Sequence, residues 1–223
     1  MKKILAAGLL LAPFTVAMAQ SSVSLYGVVD AAVRRTNNEG SGNNIGMSQT
    51  QMIGGGMSQS RWGINVEEDL GGGSKALAFL ENRFDADAGN SAIGAPFFQL
   101  SYVGLQGPYG RLTAGRQWNV LFDLVTSTYA SFPYSPYMEA FKPEIGMSMG
   151  SRSNNMLKYT AEYGAFRGSL QYSLDEGNTV NNLGATAAAA GAFKTAGGYL
   201  RYSANGISAG AGYLNTTLPG GTK

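Results

Sequence analysis

From Ser22 onward, apolar side chains recur at every second residue, and that period limits what the chain can become. In residues 22–34, Val23, Leu25, Gly27, Val29, Ala31 and Val33 share one face, while Ser24, Tyr26, Val28, Asp30, Ala32 and Arg34 share the other. Successive side chains of a strand point to opposite faces, so this stretch reads as a strand with one apolar and one mixed face. A tilted strand of about 9 to 11 residues is enough to cross a bilayer. Beyond the leader no run approaches the roughly 20 apolar residues that a membrane helix needs.

The first nineteen residues stand apart. Lys2 and Lys3 precede a short apolar run over residues 4–16, and Ala17-Met18-Ala19 is a small-x-small cleavage site. These are the parts of a secretory signal peptide in their usual order. Residues 1–19 are therefore expected to be removed, leaving a domain over residues 20–223. Of the 16 Lys and Arg, two lie in the leader, and the remaining 14 match the 14 Asp and Glu. A chain without net charge is not built to bind nucleic acid.

Cys and His are both absent. That removes disulfides, structural zinc, and any His-based catalytic dyad or triad, so neither an enzyme nor a cofactor is expected. Gly is 32 of 223 residues, about twice average usage, and charged residues are 13%. An exported, glycine-rich, charge-poor chain with period-2 patterning fits an outer-membrane β-barrel.

The segments after the first strand keep the period. Residues 61–68 put Trp62, Ile64 and Val66 on one face and Arg61, Asn65 and Glu67 on the other. In residues 75–85, Ala76, Ala78 and Leu80 oppose Lys75, Leu77, Phe79, Glu81 and Arg83. Further strands are expected over 97–105, 111–117, 155–160, 166–173, 198–203 and 207–215, making about nine. Asn205-Gly206 is a strong hairpin signal. The polar stretch 36–59 reads as a loop, as does 175–193, including the Ala-rich run 185–192. Long connections alternate with short glycine-rich turns, as outer loops alternate with periplasmic turns in barrels. Residues 118–152 break the rhythm. Residues 120–125 suggest a short helix there, and a connection of that length is expected to be functional.

Four segments, in order, resemble the general porin family of Gram-negative bacteria, in particular its β-proteobacterial branch. They are Ser24-Leu25-Tyr26-Gly27-Val28-Val29-Asp30, the stretch from Ser60-Arg61-Trp62-Gly63 through Glu67-Glu68-Asp69-Leu70-Gly71-Gly72-Gly73, Tyr102-Val103-Gly104-Leu105, and Gly115-Arg116-Gln117. The resemblance implies a homotrimer of antiparallel transmembrane barrels of about sixteen strands, embedded in outer-membrane lipid, whose long third loop folds into the pore. Residues 118–152 take that loop's place. Within it Pro143-Glu144-Ile145-Gly146-Met147 is similar to a Pro-Glu-Phe-Gly-Gly stretch of related porins, departing at Ile145 and Met147. About nine strands are too few for such a barrel, so the sequence is expected to be incomplete at its C-terminus.

A diffusion pore needs a constriction whose charges sort solutes, not a catalytic group. By strand parity, Arg61 and Arg83 fall on the channel side, and the resemblance places Arg152 where the loop returns to the wall. On the loop, the resemblance favours Glu144, with Asp123 and Glu139 behind it. Arg34 and Arg116 are weaker candidates: Arg34 lies near a strand end, and Arg116 shares parity with Leu112 and Ala114. Passive diffusion of ions and small hydrophilic solutes, with mild anion preference, is the expected function. The alternative is a secreted β-sandwich adhesin or binding module.

Overall fold

The computed structural model describes residues 21–39, 46–91, 96–128, 151–174 and 194–217. The leader at 1–19, the Ala-rich run 185–192, and the loop residues Glu139 and Glu144 lie outside them. Nine strands form one antiparallel sheet: β1 (Ser22–Val28), β4 (Arg61–Gly71), β5 (Ser74–Arg83), β6 (Phe98–Gly107), β7 (Gly110–Trp118), β8 (Arg152–Tyr163), β9 (Phe166–Ser173), β10 (Thr195–Ala204) and β11 (Ile207–Thr216). From β4 onward each strand pairs with its successor, which is the up-and-down order of a barrel wall. β1 and β11 are the two edges, and the sheet is not closed.

The two faces of this sheet are inverted relative to a soluble protein. On β8, Leu157 and Tyr159 are exposed while Lys158 and Thr160 are buried. On β9, Leu170 is 66% exposed while Gln171 beside it is only 5% exposed. Val23 and Leu25 on β1, Val103 and Leu105 on β6, and Leu200 on β10 extend the exposed apolar face. Such a face is costly in water and suited to hydrocarbon, with polar side chains turned to the channel. Backbone groups are paired strand to strand, as a membrane interior demands. The described strands form one broad sheet and one hairpin, not the two facing sheets of a sandwich.

Two expectations need correction. The single strand over residues 22–34 is broken after Val28, and β2 (Ala31–Glu39) pairs with β3 (Met47–Gly54) as a separate hairpin. Part of the expected loop 36–59 is therefore strand, and the described total is the nine-stranded sheet plus this hairpin. Asp30 causes the break. Its carboxylate accepts the backbone N–H groups of Gly56, Met57 and Ser58 at 3.0, 2.9 and 2.7 Å. Its own N–H donates to Ser60 Oγ at 2.9 Å. Those donors hold the carboxyl below its ordinary value, with the Ser58 and Met57 bonds the largest causes.

The turns match their sequence signals. Asn205 and Gly206 both lie in the left-handed region, at φ 52° and 76°, as the two-residue turn between β10 and β11 requires. The helix expected at 120–125 is α1 (Val120–Thr128). Asn119 caps it, its Oδ1 accepting the Phe122 N–H at 2.8 Å. The helix lies across the channel side of the sheet, where Val120 and Leu124 pack against Tyr199 and Leu214. Gln171 Oε1 accepts the Val120 N–H at 2.6 Å, and Arg201 donates to the Ser127 carbonyl at 2.5 Å.

Candidate functional site

The channel side of β4 and β5 carries a cluster of charges set by register. Arg61 pairs with Arg83, and two residues further along β4 Gly63 pairs with Glu81. Glu81 is buried between the two guanidinium groups. Its Oε1 accepts Arg83 Nε at 3.1 Å, and its Oε2 lies 3.7 Å from Arg61 Nε. Arg61 also donates to Ser58 Oγ at 2.9 Å, and Arg83 to Gln59 Oε1 at 3.0 Å. Two like charges in adjacent register positions would repel. The carboxylate between them makes the arrangement tenable.

Arg152 joins from β8. Its guanidinium lies 3.7 Å from the centroid of the Trp118 ring, and that of Arg83 lies 5.3 Å from the same ring. A π-face within about 6 Å of a cation attracts it. Trp118 itself stacks on Phe122 of α1, with centroids 4.1 Å apart. The indole thus brings the β8 arginine, the β5 arginine and the helix together.

Three sequence candidates therefore meet in one cluster: Arg61, Arg83 and Arg152. Asp123 is carried by α1 and is not paired with an arginine of this cluster, its Oδ2 lying 2.6 Å from Lys158 Nζ. Lys158 also donates to the Trp118 carbonyl at 2.8 Å, so it pins α1 to β8. Glu139 and Glu144 lie outside the described residues. Arg34 is exposed on the separate β2–β3 hairpin, away from the cluster. Arg116 is buried and donates to Asn154 Oδ1 at a register irregularity between Gly115 and Gln117, not in the arginine row.

Glu81, Trp118 and Lys158 are site residues that the sequence reading does not single out. Glu81 had a signal, since it shares parity with Arg83 two residues away. Trp118 and Lys158 had none, because their roles depend on where α1 crosses the sheet.

Below the cluster runs a row of rings. Tyr26 stacks on Phe79 at 5.9 Å and 27°, and Phe79 on Tyr102 at 5.3 Å and 20°. Tyr26 belongs to β1 and Phe79 to β5, with β4 between them. The tyrosine crosses because Gly63 leaves room: a Cβ there would stand 2.6 Å from the Tyr26 ring and hydroxyl. The same hydroxyl donates to Glu81 Oε2 at 2.9 Å. Nothing among the described residues gathers three or more metal-ligating side chains.

A family profile for Gram-negative porins matches residues 5–223. Outer membrane porin protein 32 of Delftia acidovorans is 35% identical over 95% of this chain and 59% of its own length. An outer membrane porin protein of Bordetella pertussis is 35% identical over 82% of this chain and 52% of its own. Among solved structures, an anion-selective porin from Comamonas acidovorans superposes with a TM-score of 0.69 at 29% identity, over 88% of this chain and 58% of that one. The OmpF porin of Salmonella typhi, at a TM-score of 0.60 and 17% identity over 88% of this chain and 54% of that one, shares the fold. The chain thus spans somewhat over half the length of these relatives. An inverted antiparallel sheet with charges on its concealed face and a profile match along nearly its whole length lead to one assignment: the chain belongs to the Gram-negative porin family, whose members are outer-membrane β-barrel channels and not enzymes.

Proposed function

We propose that the protein forms a water-filled channel for passive diffusion of ions and small hydrophilic solutes, with a mild preference for anions. The observation that carries this reading is the channel side of the sheet, where among the described residues Arg61, Arg83, Arg152 and Lys158 stand near Glu81 and the Asp123 of α1, four cations to two acids. A low-dielectric wall focuses the field of such charges into the lumen, where it sorts ions by sign. The structural relative from Comamonas acidovorans, described as anion-selective, supports the sign. The sequence candidates Glu139 and Glu144 would supply the opposing charges from the loop. A homotrimer in outer-membrane lipid follows from the family resemblance.

The test is planar-bilayer recording of the complete refolded protein. Stepwise ohmic currents in KCl are expected, with a reversal potential in a salt gradient whose sign reports chloride over potassium. Folded, inserted protein without current steps would end the diffusion reading. Steps with cation preference would end the anion preference alone.

A further inference from the structure

The ring row and the lower cations of the wall share a space. A cavity of about 240 Å³ is lined by Phe79, Tyr102, Arg111, Lys158 and Arg167, and also by the carboxylates of Glu81 and Asp123, each of which is already paired with a cation. A second hollow of about 370 Å³ lies beside the short β6–β7 turn and is also bordered by Arg111 and Arg167. Arg111 and Arg167 therefore stand between the two spaces.

Their states differ from those of the cations above. Arg61 and Arg83 share Glu81, and Lys158 holds Asp123. Arg167 has Glu162 at 3.0 Å and donates to the Tyr199 hydroxyl at 2.9 Å. Arg111 has no ion-pair or hydrogen-bond partner for its guanidinium among the described residues. The two carboxylates in that cavity, Glu81 and Asp123, are already taken by other cations, so a half-buried guanidinium bordering it is disposed to take an acceptor from a solute.

Part of that cavity's lining is aromatic. Phe79 and Tyr102 are directly paired across β5 and β6, and their rings are nearly parallel. Together they present a flat π surface to the space that Arg111 borders. A hydrated inorganic anion gains nothing from such a surface. A planar ring gains stacking, and its carboxylate can be met by the arginine pair.

We propose that this channel carries a second station, on the short-turn side of the arginine cluster, that takes an aromatic monocarboxylate with its ring on Phe79 and Tyr102 and its carboxylate on Arg111 and Arg167. The station rests on the channel reading above and adds a solute class to it.

The probe is benzoate against acetate, which share a carboxylate and differ in the ring. Each is added to single channels of the complete protein carrying KCl current. Benzoate is expected to reduce the current at a concentration about fivefold below that of acetate. Arg111→Gln is expected to raise the half-blocking concentration of benzoate about tenfold. Phe79→Leu should raise it about fivefold and leave acetate where it was. KCl steps from each variant report that it has folded and inserted, and Tyr102→Leu stands in if Phe79→Leu gives none. Equal block by benzoate and acetate would overturn the ring. Loss of benzoate block in neither the Arg111 nor the Phe79 variant would overturn the station. Absence of KCl steps from the unaltered protein is a different result, because it refutes the pore itself.

Discussion

Replacing Leu170 with arginine should destabilise the inserted protein by about 2 to 3 kcal/mol, close to the cost of a cation near the bilayer midplane. Leu170 lies four residues beyond Phe166, the first residue of β9. At about 3.3 Å per residue and a tilt of about 40°, that places it roughly 10 Å below the short-turn rim of an apolar band about 25 Å tall. The residue is 66% exposed on the outer face, and its lateral neighbours are Tyr159 on β8 and Gly198 on β10. Neither offers an anion, and the Tyr159 hydroxyl already donates to the Tyr109 carbonyl at 2.6 Å. Snorkelling shortens the path of the guanidinium to the interface without closing it, which sets the estimate below the top of the known range. Leu77→Arg is the control. Leu77 sits on β5 with the parity of Phe79 and Glu81, so its substituent enters channel water and should cost under about 1 kcal/mol. The assay is equilibrium urea unfolding of protein refolded into phospholipid vesicles, where Leu170→Arg should lower the folding constant by a factor of about 30 to 150. If Leu170→Arg cost no more than Leu77→Arg, the assignment of outer and inner faces would be refuted.

Glu81→Gln removes the carboxylate that Arg61 and Arg83 share; it should cost about 1 to 3 kcal/mol in the same unfolding assay and move the reversal potential toward anions. Gly63→Val places methyl groups where the Tyr26 ring lies, so near-ultraviolet circular dichroism from the ring row should weaken and stability should fall by about 1 to 3 kcal/mol. Lys158→Met leaves Asp123 without its cation and α1 without its tie to β8, which should appear as noisier open-channel current. The amides of Ser58, Met57 and Gly56 hold the Asp30 carboxyl below the ordinary aspartate value, so its stabilisation is present above that ordinary value and is lost as pH falls through the lowered one. Protection factors of the Gly56, Met57 and Ser58 amides, taken relative to the intrinsic exchange rate at each pH, should fall as pH drops through that range, and Asp30→Asn should remove the dependence.

What could be read from the sequence was whatever the period-2 rule controls. The facing of β4 and β5 followed from alternation, and with it the channel-side parity of Arg61 and Arg83. What escaped depended on partners far away in the chain. The break after Val28 is made by amides 26 to 28 residues downstream of Asp30, and an alternating stretch gives no hint of them. Arg116 was ambiguous because alternation fails at the register shift after Gly115. The limits of α1 were legible only at its start, since its last turn receives a bond from Arg201 on β10, 74 residues further along the chain.

Glu81 ties the charge cluster to the ring row, and this coupling shapes what the wall can do. Its carboxylate takes Arg83 on one oxygen and both Arg61 and the Tyr26 hydroxyl on the other. An acid between these cations lowers their mutual repulsion. Tyr26 reaches it only because Gly63 has no side chain, and in crossing β4 the tyrosine extends the ring row to Phe79. One small residue therefore serves two purposes. It lets a phenol satisfy the buried acid, and it lays an aromatic surface beneath the cations. A wall built only for sorting ions needs the first and has no use for the second. Rings that line a lumen exclude ordered water and gain nothing from chloride, so their presence beside Arg111 argues for solutes that carry a flat apolar part behind a negative head.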